Sequence, residues 1–350
     1  MVTVRDIAEK TGVSIATVSR VINGSQNVAE ETRKKVLKAI RELEYKPRPR
    51  FGENGTLLKT LGVIVPNIRA YHYPQIITGI YEAAFQNEFD VMIALAKDKP
   101  IREREILDEY FNRKVDGILV CTLKCEEHYI DRFIESGIPV VAVDYPLEEV
   151  RIDSVNIDNV MGAYSVLRYL YNKGHRNVYF IRGALNVYAS RDREYGIKKF
   201  LRRHKDMEVT MSQAAGFEAE HGYAAILENK SKLRDFSVVF CSNDYVAMGA
   251  IRGLNELKLA VPDEISVMGF DDAPFAPYTV PPLTTVFQPR TEMGTIATQL
   301  LIDRLNSGKK SVFKNVVLPT RVVERKTVKK LSKTSKNFNQ KKGMVTTDEQ

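Results

Sequence analysis

Cysteine, histidine and long apolar runs are all scarce in this sequence of 350 residues. The three cysteines, Cys121, Cys125 and Cys241, form neither an even disulfide framework nor a four-ligand metal pattern. We therefore expect a reduced, cytoplasmic protein without a bound metal or other cofactor. No apolar run approaches the length that spans a bilayer, and the N-terminus lacks the apolar core of a signal peptide. These absences argue against a membrane partner.

The sequence also lacks the motifs that usually mark an active site. It contains no Gly-x-Ser-x-Gly elbow, no Gly-x-x-x-x-Gly-Lys phosphate loop, no Gly-x-Gly-x-x-Gly and no His-Glu-x-x-His. The five histidines are scattered, and none has a Cys or Ser partner in a recognisable frame. The sequence therefore gives no support to an enzyme, and we expect no catalytic residues.

Positive charge is concentrated at the two ends of the chain. Residues 1–60 hold 12 Lys and Arg against 7 Asp and Glu, and residues 325–350 hold 8 against 2, whereas the whole chain carries a formal charge of +8. The intervening segment is therefore mildly acidic. A basic N-terminal segment fits nucleic-acid binding. Residues 329–350 are polar and lack periodicity, which predicts a basic, disordered tail.

The most informative stretch is residues 3–23, which reads as two short helices joined by a turn at Gly12. Thr3 and Ser14 are candidate N-caps. The predicted inward face comprises Ile7, Ala8, Val18, Val21 and Ile22. The predicted outward face of the second helix is small and hydrogen-bonding, and comprises Ile15, Ala16, Thr17, Ser19 and Arg20. Such a face suits the DNA major groove, although spacing alone leaves an ordinary helical hairpin equally open.

If this helix binds DNA, its outward residues divide into base contacts and DNA-backbone contacts. Ile15, Ala16 and Arg20 are predicted to face base edges, where Arg20 would bind a guanine through two hydrogen bonds. A second set of polar residues is predicted to fix the register on the DNA backbone, namely Thr17, Ser19 and Asn23. Thr3 and Ser14, at the helix starts, are further candidate DNA-binding residues.

The order of residues favours DNA binding. Residues 13–23 complete a V-S-x-x-T-V-S-R-V-I-N core, and the stretch resembles the DNA-binding headpiece of the lactose-repressor/galactose-repressor (LacI/GalR) family. Residues 28–33 resemble the start of that family's third helix, for which Val36, Leu37, Ile40 and Leu43 give the apolar spacing. Further landmarks in family order extend the resemblance over about residues 2–328, namely residues 115–119, 137–140, 173–176, 242–244, 261–272 and 283–289.

From Leu61 onward, short apolar runs alternate with longer amphipathic segments. Buried strands are predicted at 61–66, 91–96, 117–122, 140–144, 177–182, 237–242 and 265–270, with a last strand near 321–325. Helices are predicted near 75–89, 101–112, 129–136, 160–172, 191–204, 222–228 and 245–257. This alternation predicts an α/β fold with parallel sheets covered on both faces, and the number of units indicates two doubly wound lobes.

The resemblance implies how the chain is divided. The helix-turn-helix headpiece would span 1–46, a linker 47–59, and an effector-binding core 60–328 built like the paired lobes of periplasmic binding proteins. The N-lobe would comprise about 60–158 and 288–319, and the C-lobe about 159–287 and 320–328.

The linker departs from the family. In relatives the third helix is followed by Tyr-x-Pro-Asn-x-x-Ala-Arg-x-Leu, whose leucines wedge into the minor groove. This chain keeps the Tyr-x-Pro at residues 45–47 but then reads Arg-Pro-Arg-Phe-Gly-Glu-Asn-Gly. Pro49, Gly52 and Gly55 oppose a helix there. We predict that Arg48 and Arg50 contact phosphate or the minor groove electrostatically instead.

Polar and aromatic side chains follow several predicted strands, where a ligand between two lobes would meet them. They are Tyr71, His72, Tyr73, Ser190, Arg193, Asn243, Asp244 and Asp271. A ring, a guanidinium, an amide and carboxylates together suit a polyhydroxylated ligand. The resemblance implies that the effector site is lined by the positions of Tyr73, Ser190, Arg193, Phe217, Asn243 and Asp271.

Each of these residues also has a structural interpretation. Asn243 and Asp244 would equally serve as caps of the helix that follows. Asp271 would pair with Arg193 inside an empty cleft, and His72 would face solvent from a loop.

The sequence thus predicts a transcriptional regulator, a repressor of carbohydrate-utilisation genes that binds a palindromic operator as a homodimer. Its effector in the cleft would be a saccharide, with a nucleobase, a sugar phosphate or a phosphocarrier-protein partner as alternatives. A sugar-binding protein without a DNA function is the alternative from another class, but it would have no use for residues 3–23.

Overall fold

The computed structural model of the chain describes residues 4–22, 28–43, 59–69, 71–122, 128–145, 152–307 and 312–331. The chain divides into two compact units, Met1–Leu58 and Lys59–Gln350.

The described part of the N-terminal unit is helical, with α1 (Val4–Thr11), α2 (Ile15–Ile22) and α3 (Glu30–Glu42). Its buried core comprises Ile7, Ala8, Val18, Val21, Val36 and Ala39. Gly12 lies between α1 and α2 at φ 67°, in the left-handed region that favours glycine. The structure therefore confirms the predicted helix–turn–helix and the inward positions of Ile7, Ala8, Val18 and Val21, whereas the side chain of Ile22 lies outside the described part.

One prediction for the third helix is wrong. Leu37 was expected in the core, but it is exposed, and Ala39 is buried in its place. At about 3.6 residues per turn, Val36, Ala39, Ile40 and Leu43 fall on one side of the helix, whereas Leu37 lies about 100° around the axis from Val36 and away from Ala39.

The second unit contains a six-stranded parallel sheet with strand order β11-β5-β4-β3-β1-β2. Its strands are β1 (Lys59–Val65), β2 (Phe89–Leu95), β3 (Gly117–Val120), β4 (Val140–Val143), β5 (Asp153–Ile157) and β11 (Asn315–Leu318). One face is covered by α4 (His72–Gln86) and α11 (Arg290–Ser307), the other by α5 (Pro100–Arg113) and α6 (His128–Glu135). This sheet and its helices are called the N-lobe below.

A four-stranded parallel sheet with order β7-β6-β8-β9 forms the C-lobe. Its strands are β6 (Asn177–Arg182), β7 (Glu208–Ala215), β8 (Val238–Cys241) and β9 (Ser266–Met268). One face is covered by α7 (Asn159–Asn172) and α8 (Tyr188–Leu201), the other by α9 (Ala219–Glu228) and α10 (Asp244–Glu256). Strands β10 (Thr285–Phe287) and β12 (Arg321–Val323) pair antiparallel beside it.

Glycines set the close approach of two helix pairs. A Cβ at Gly79 on α4 would overlap the carbonyl oxygen of Thr291 on α11, and a Cβ at Gly249 on α10 would overlap that of Ala219 on α9. Both pairs therefore pack backbone against backbone.

The sheets confirm the predicted α/β class, with parallel strands covered on both faces. The predicted helix at 75–89 runs too far, because β2 already begins at Phe89 and α4 ends at Gln86. The body also extends past the predicted limit at 328, since the Leu331 N–H donates to the Lys173 carbonyl at 2.8 Å. The linker residues 47–58 lie outside the described residues.

Candidate functional site

The outward face of α2 is the candidate DNA-reading surface. Ile15, Ala16 and Arg20 are exposed. Ser14 caps the helix, since its Oγ accepts the Thr17 N–H at 3.1 Å, and the two hydroxyls lie 2.8 Å apart. The cap satisfies a backbone donor at the helix start, and Ile15, Ala16 and Arg20 remain exposed beside it. Ser19 lies in α2, whereas Thr3, Asn23, Arg48 and Arg50 fall outside the described residues.

The second candidate site lies where the carboxyl ends of strands from both lobes meet. Asp271 follows β9 and is 6% exposed. Its backbone has φ 124°, a value that side-chain-bearing residues rarely adopt. The Asp271 N–H donates to the Val286 carbonyl at 2.7 Å, and Arg290 donates to the Asp271 carbonyl from both terminal nitrogens. Hydrogen bonds at both its N–H and its carbonyl therefore fix the backbone conformation of Asp271.

Several protein groups surround the Asp271 carboxylate. The Tyr71 hydroxyl donates to Oδ2 at 2.6 Å, and the Gln288 side-chain amide donates to Oδ1. Arg193 places its Nη2 3.9 Å from Oδ1, which makes an ion pair rather than a hydrogen bond. This arrangement brings Arg193 and Asp271 together, as the sequence analysis allowed for a cleft without a ligand.

Arg193 is only 4% exposed, and its guanidinium is fixed by the C-lobe. Nε donates to Asn159 Oδ1 at 3.0 Å, Nη1 donates to the Ser242 carbonyl, and the carbon between the nitrogens lies 3.8 Å from the Phe270 ring centroid. Burial lowers the pKa of Arg193, an effect that the charges of Asp271 and Asp144 oppose. The rigid fork thus presents Nη2 toward the carboxylate.

Ser190 and Phe217 meet beside Gly183 in the same lobe. A Cβ at Gly183 would overlap the Ser190 hydroxyl and the Phe217 ring, so any larger residue there would displace one of these side chains. The buried Ser190 Oγ has no hydrogen-bond partner among the described residues. A buried hydroxyl without a partner is costly, and it is a natural contact for a ligand.

Asn243 and Asp244 are engaged in the structure of the C-lobe itself. Asn243 Oδ1 accepts the Val246 N–H at 2.8 Å as the cap of α10, and its Nδ2 donates to the Phe217 carbonyl at 2.9 Å. Asp244 accepts from the Ala273 N–H at 2.7 Å and from the Thr285 hydroxyl at 2.5 Å. Burial raises the pKa of Asp244, and the nearby charge of Asp271 adds to the effect.

His72 and Tyr73 form the N-lobe side. His72 Nε2 lies 2.7 Å from Asp144 Oδ2, and the Tyr73 ring meets the His72 ring edge-on with centroids 4.9 Å apart. Tyr73 is half-buried, and burial raises the pKa of its phenol. His72 is therefore paired rather than solvent-facing.

Comparisons with known proteins place this architecture. The model for "Bacterial regulatory proteins, lacI family" matches residues 3–48, and that for "Periplasmic binding protein-like domain" matches residues 167–328. The HTH-type transcriptional repressor PurR of Klebsiella pneumoniae (strain 342) is 32% identical over 337 residues, which cover 94% of this chain and 97% of the relative. The chain belongs to the LacI family.

Solved structures of LacI-family proteins share the fold. The complex of the transcriptional regulator CelR with cellobiose has a TM-score of 0.69 and 29% identity, and the match covers 94% of this chain and all of that one. A regulator from Enterococcus faecium with bound ribose has a TM-score of 0.70 and 26% identity, over 78% and 100% of the two chains. The lac repressor dimer bound to operator and the anti-inducer ONPF has a TM-score of 0.70 and 25% identity, over 93% and 98%.

Membership of the LacI family makes this chain a DNA-binding transcriptional regulator and not an enzyme. Among the described residues, no helix combines the length and apolar character needed to cross a membrane, and no group of His, Cys, Asp and Glu is arranged to hold a metal ion. The two described cysteines, Cys121 and Cys241, are free and buried.

Sequence reasoning missed part of the cleft. Gln288 and Arg290 both contact Asp271 but were not among the candidate residues, and Tyr71 was expected to face the cleft but not to bind Asp271. The available signal was positional, because residues 288–290 directly follow β10. That strand has only three residues, so its apolar pattern is too short to be recognised as a strand.

Proposed function

We propose that this LacI-family regulator is a repressor whose effector is a saccharide bound between the lobes. The observation that carries the proposal is the buried Arg193–Asp271 pair. The two charged groups face each other at 3.9 Å, too far for a direct hydrogen bond. Neighbouring hydroxyls on a sugar ring would accept from the guanidinium and donate to the carboxylate, bridging the two groups.

Other features of the cleft support the same ligand class. The unpartnered Ser190 hydroxyl offers a further hydrogen bond, and the rings of Tyr73 and Phe217 offer surfaces for the apolar face of a pyranose. The similar solved structures include complexes with cellobiose and with ribose. A nucleobase is the second candidate, because repressors named PurR are 31–33% identical to this chain over nearly its whole length.

The effector class is tested by calorimetry on the full chain with D-ribose, cellobiose, D-glucose, adenine and hypoxanthine. Saccharide binding that is lost in Asp271→Asn supports the proposal. Binding of a purine base with no response to any sugar contradicts it. The matched control is Asp272→Asn, because Asp272 pairs with Arg325 at 2.6 Å rather than with Arg193.

For the DNA interface, we infer that α2 lies in the major groove with Ile15, Ala16 and Arg20 at base edges. Their exposure and the Ser14 cap support this arrangement. Half-sites about one helical turn apart are expected for a dimer. Selection of bound duplexes from a random library tests this directly, because a palindrome supports paired headpieces and a single asymmetric site contradicts them.

We also infer that the linker binds DNA through Arg48 and Arg50. The double substitution to Ala removes four arginines from a dimer, so it should weaken operator binding and reduce the slope of log affinity against log salt by about four. An unchanged slope contradicts the inference.

Homodimerisation is proposed from two exposed apolar patches. Tyr81 and Phe85 stack on the outer side of α4 with centroids 6.2 Å apart, and Tyr278 and Val280 are more than 80% exposed in the C-lobe. Contiguous exposed apolar patches mark association surfaces, and each of these pairs places large apolar side chains side by side at the surface. Sedimentation of Phe85→Asp and Tyr278→Asp should show a shift from dimer to monomer, whereas a dimer in both variants contradicts these surfaces.

A further inference from the structure

Tyr71 makes an unusual set of contacts for a loop residue. It precedes α4 of the N-lobe, but its ring stacks on Tyr245 with centroids 5.6 Å apart and meets Phe275 edge-on at 6.1 Å. Both of those rings belong to segments that follow C-lobe strands. The Arg290 guanidinium lies 4.9 Å from the Tyr71 ring centroid on another side. Tyr71 therefore spans from one lobe to the other.

The hydroxyl of Tyr71 contacts Asp271, the acidic member of the charged pair on which the proposed effector site depends. It donates to Asp271 Oδ2 at 2.6 Å, while Gln288 donates to Oδ1. Hydrogen bonds to an ionised carboxylate are among the strong ones in proteins. Each carboxylate oxygen thus already accepts one hydrogen bond from the protein.

A sugar hydroxyl, like a phenol, has one O–H group that donates to a carboxylate oxygen. A saccharide hydroxyl that binds Oδ2 from the side of the Tyr71 phenol would take the place of that phenol. Arg193, by contrast, makes no hydrogen bond to the carboxylate, and its Nη2 remains 3.9 Å away. Protein groups therefore donate hydrogen bonds to the Asp271 carboxylate, whereas Nη2 of Arg193 donates none to it.

We propose that Tyr71 is an internal competitor of the effector and a latch between the lobes. The phenol holds Asp271 until a ligand hydroxyl replaces it, and its release frees the Tyr71 ring from Tyr245 and Phe275. Ligand occupancy is thereby coupled to the contact between the lobes, because a ligand hydroxyl that approaches Oδ2 from the side of the Tyr71 phenol displaces it. The competitor half of this proposal rests on the proposed effector site, whereas the latch half does not.

The test uses Tyr71→Phe, which keeps the ring stack and removes only the hydroxyl. The matched control is Tyr245→Phe, which removes the same atom from the stacked neighbour, whose hydroxyl makes no hydrogen bond to the described residues. Hydrogen exchange of the ligand-free full chain is followed in peptides covering residues 71–76 and 271–276. Loss of a charge-assisted hydrogen bond should speed exchange there by about tenfold in Tyr71→Phe but not in Tyr245→Phe.

Affinity is then measured by calorimetry for whichever of D-ribose, cellobiose and D-glucose binds the unaltered chain. Tyr71→Phe should bind that sugar about tenfold more tightly, since the competitor is gone, and Tyr245→Phe should not. Unchanged exchange in Tyr71→Phe overturns the latch whatever the effector is. Faster exchange with equal or weaker sugar binding overturns the competitor role. If no sugar binds either protein, the saccharide proposal fails and exchange alone decides the latch.

Discussion

The geometry of the cleft makes a specific prediction for the substitution Arg193→Lys. The guanidinium is 4% exposed and serves Asn159 through Nε and the Ser242 carbonyl through Nη1, while Nη2 faces Asp271. A lysine ammonium lacks the planar fork, so at least one buried acceptor loses its donor, at a cost of about 1–3 kcal/mol. We expect the free energy of unfolding to fall by about 2 kcal/mol. Saccharide affinity should fall by about tenfold or more, because one charge-assisted hydrogen bond to the ligand is lost.

Two measurements separate these effects. Urea unfolding gives the stability change, and calorimetry well below the unfolding transition gives the affinity change. Arg191→Lys is the control, since Arg191 is exposed two positions away and its guanidinium contacts the Leu185 carbonyl and the Tyr188 ring rather than Asp271. Sugar affinity in Arg193→Lys equal to that of the unaltered chain would refute the assignment of Arg193 to the effector site.

The remaining predictions concern stability and DNA reading. Burial lowers the pKa of His175 to about 4. Because an unfolded histidine takes up its proton near about pH 6.5, the unfolded chain binds more protons below that pH than the folded chain. The free energy of unfolding should therefore fall by about 3 kcal/mol between about pH 6.5 and pH 4. Urea unfolding of His175→Gln should show a shallower fall, and an equal fall contradicts the assignment. Gly249→Ala should cost about 2 kcal/mol through overlap with the Ala219 carbonyl, against less than about 0.5 for exposed Asn255→Ala in the same unfolding assay. Arg20→Ala should weaken operator binding about tenfold and relax one base preference in a titration of variant duplexes, and an unchanged preference contradicts base reading.

Much of the fold was predictable because its central strands are buried on both faces. β1, β3, β4, β6 and β8 read as short apolar runs, and each is recognisable without its neighbours. The predicted order of strands and helices then leads to two parallel sheets. The inward face of the first two headpiece helices was equally predictable, because a helical period decides which residues meet.

The elements that were not predicted carry weaker local signals. β7 is an edge strand whose sequence from Glu208 to Ala215 alternates apolar with exposed polar residues. α11 buries polar residues such as Arg290 and Thr298 beside its apolar ones, which blurs its periodicity. The contacts of Tyr71 with Asp271 join residues 200 positions apart, and no local pattern encodes such a pair. Tertiary packing alone places these groups together.

The central claim is that a ligand between the lobes controls DNA binding by the headpiece. Its most direct test is fluorescence anisotropy of the full chain on its selected operator duplex, with and without the sugar that calorimetry identifies. We predict that the sugar changes operator affinity by about 5- to 150-fold, the usual range of allosteric coupling. Asp271→Asn should keep operator binding and lose that response. A sugar that binds the cleft but leaves operator affinity unchanged would contradict the claim.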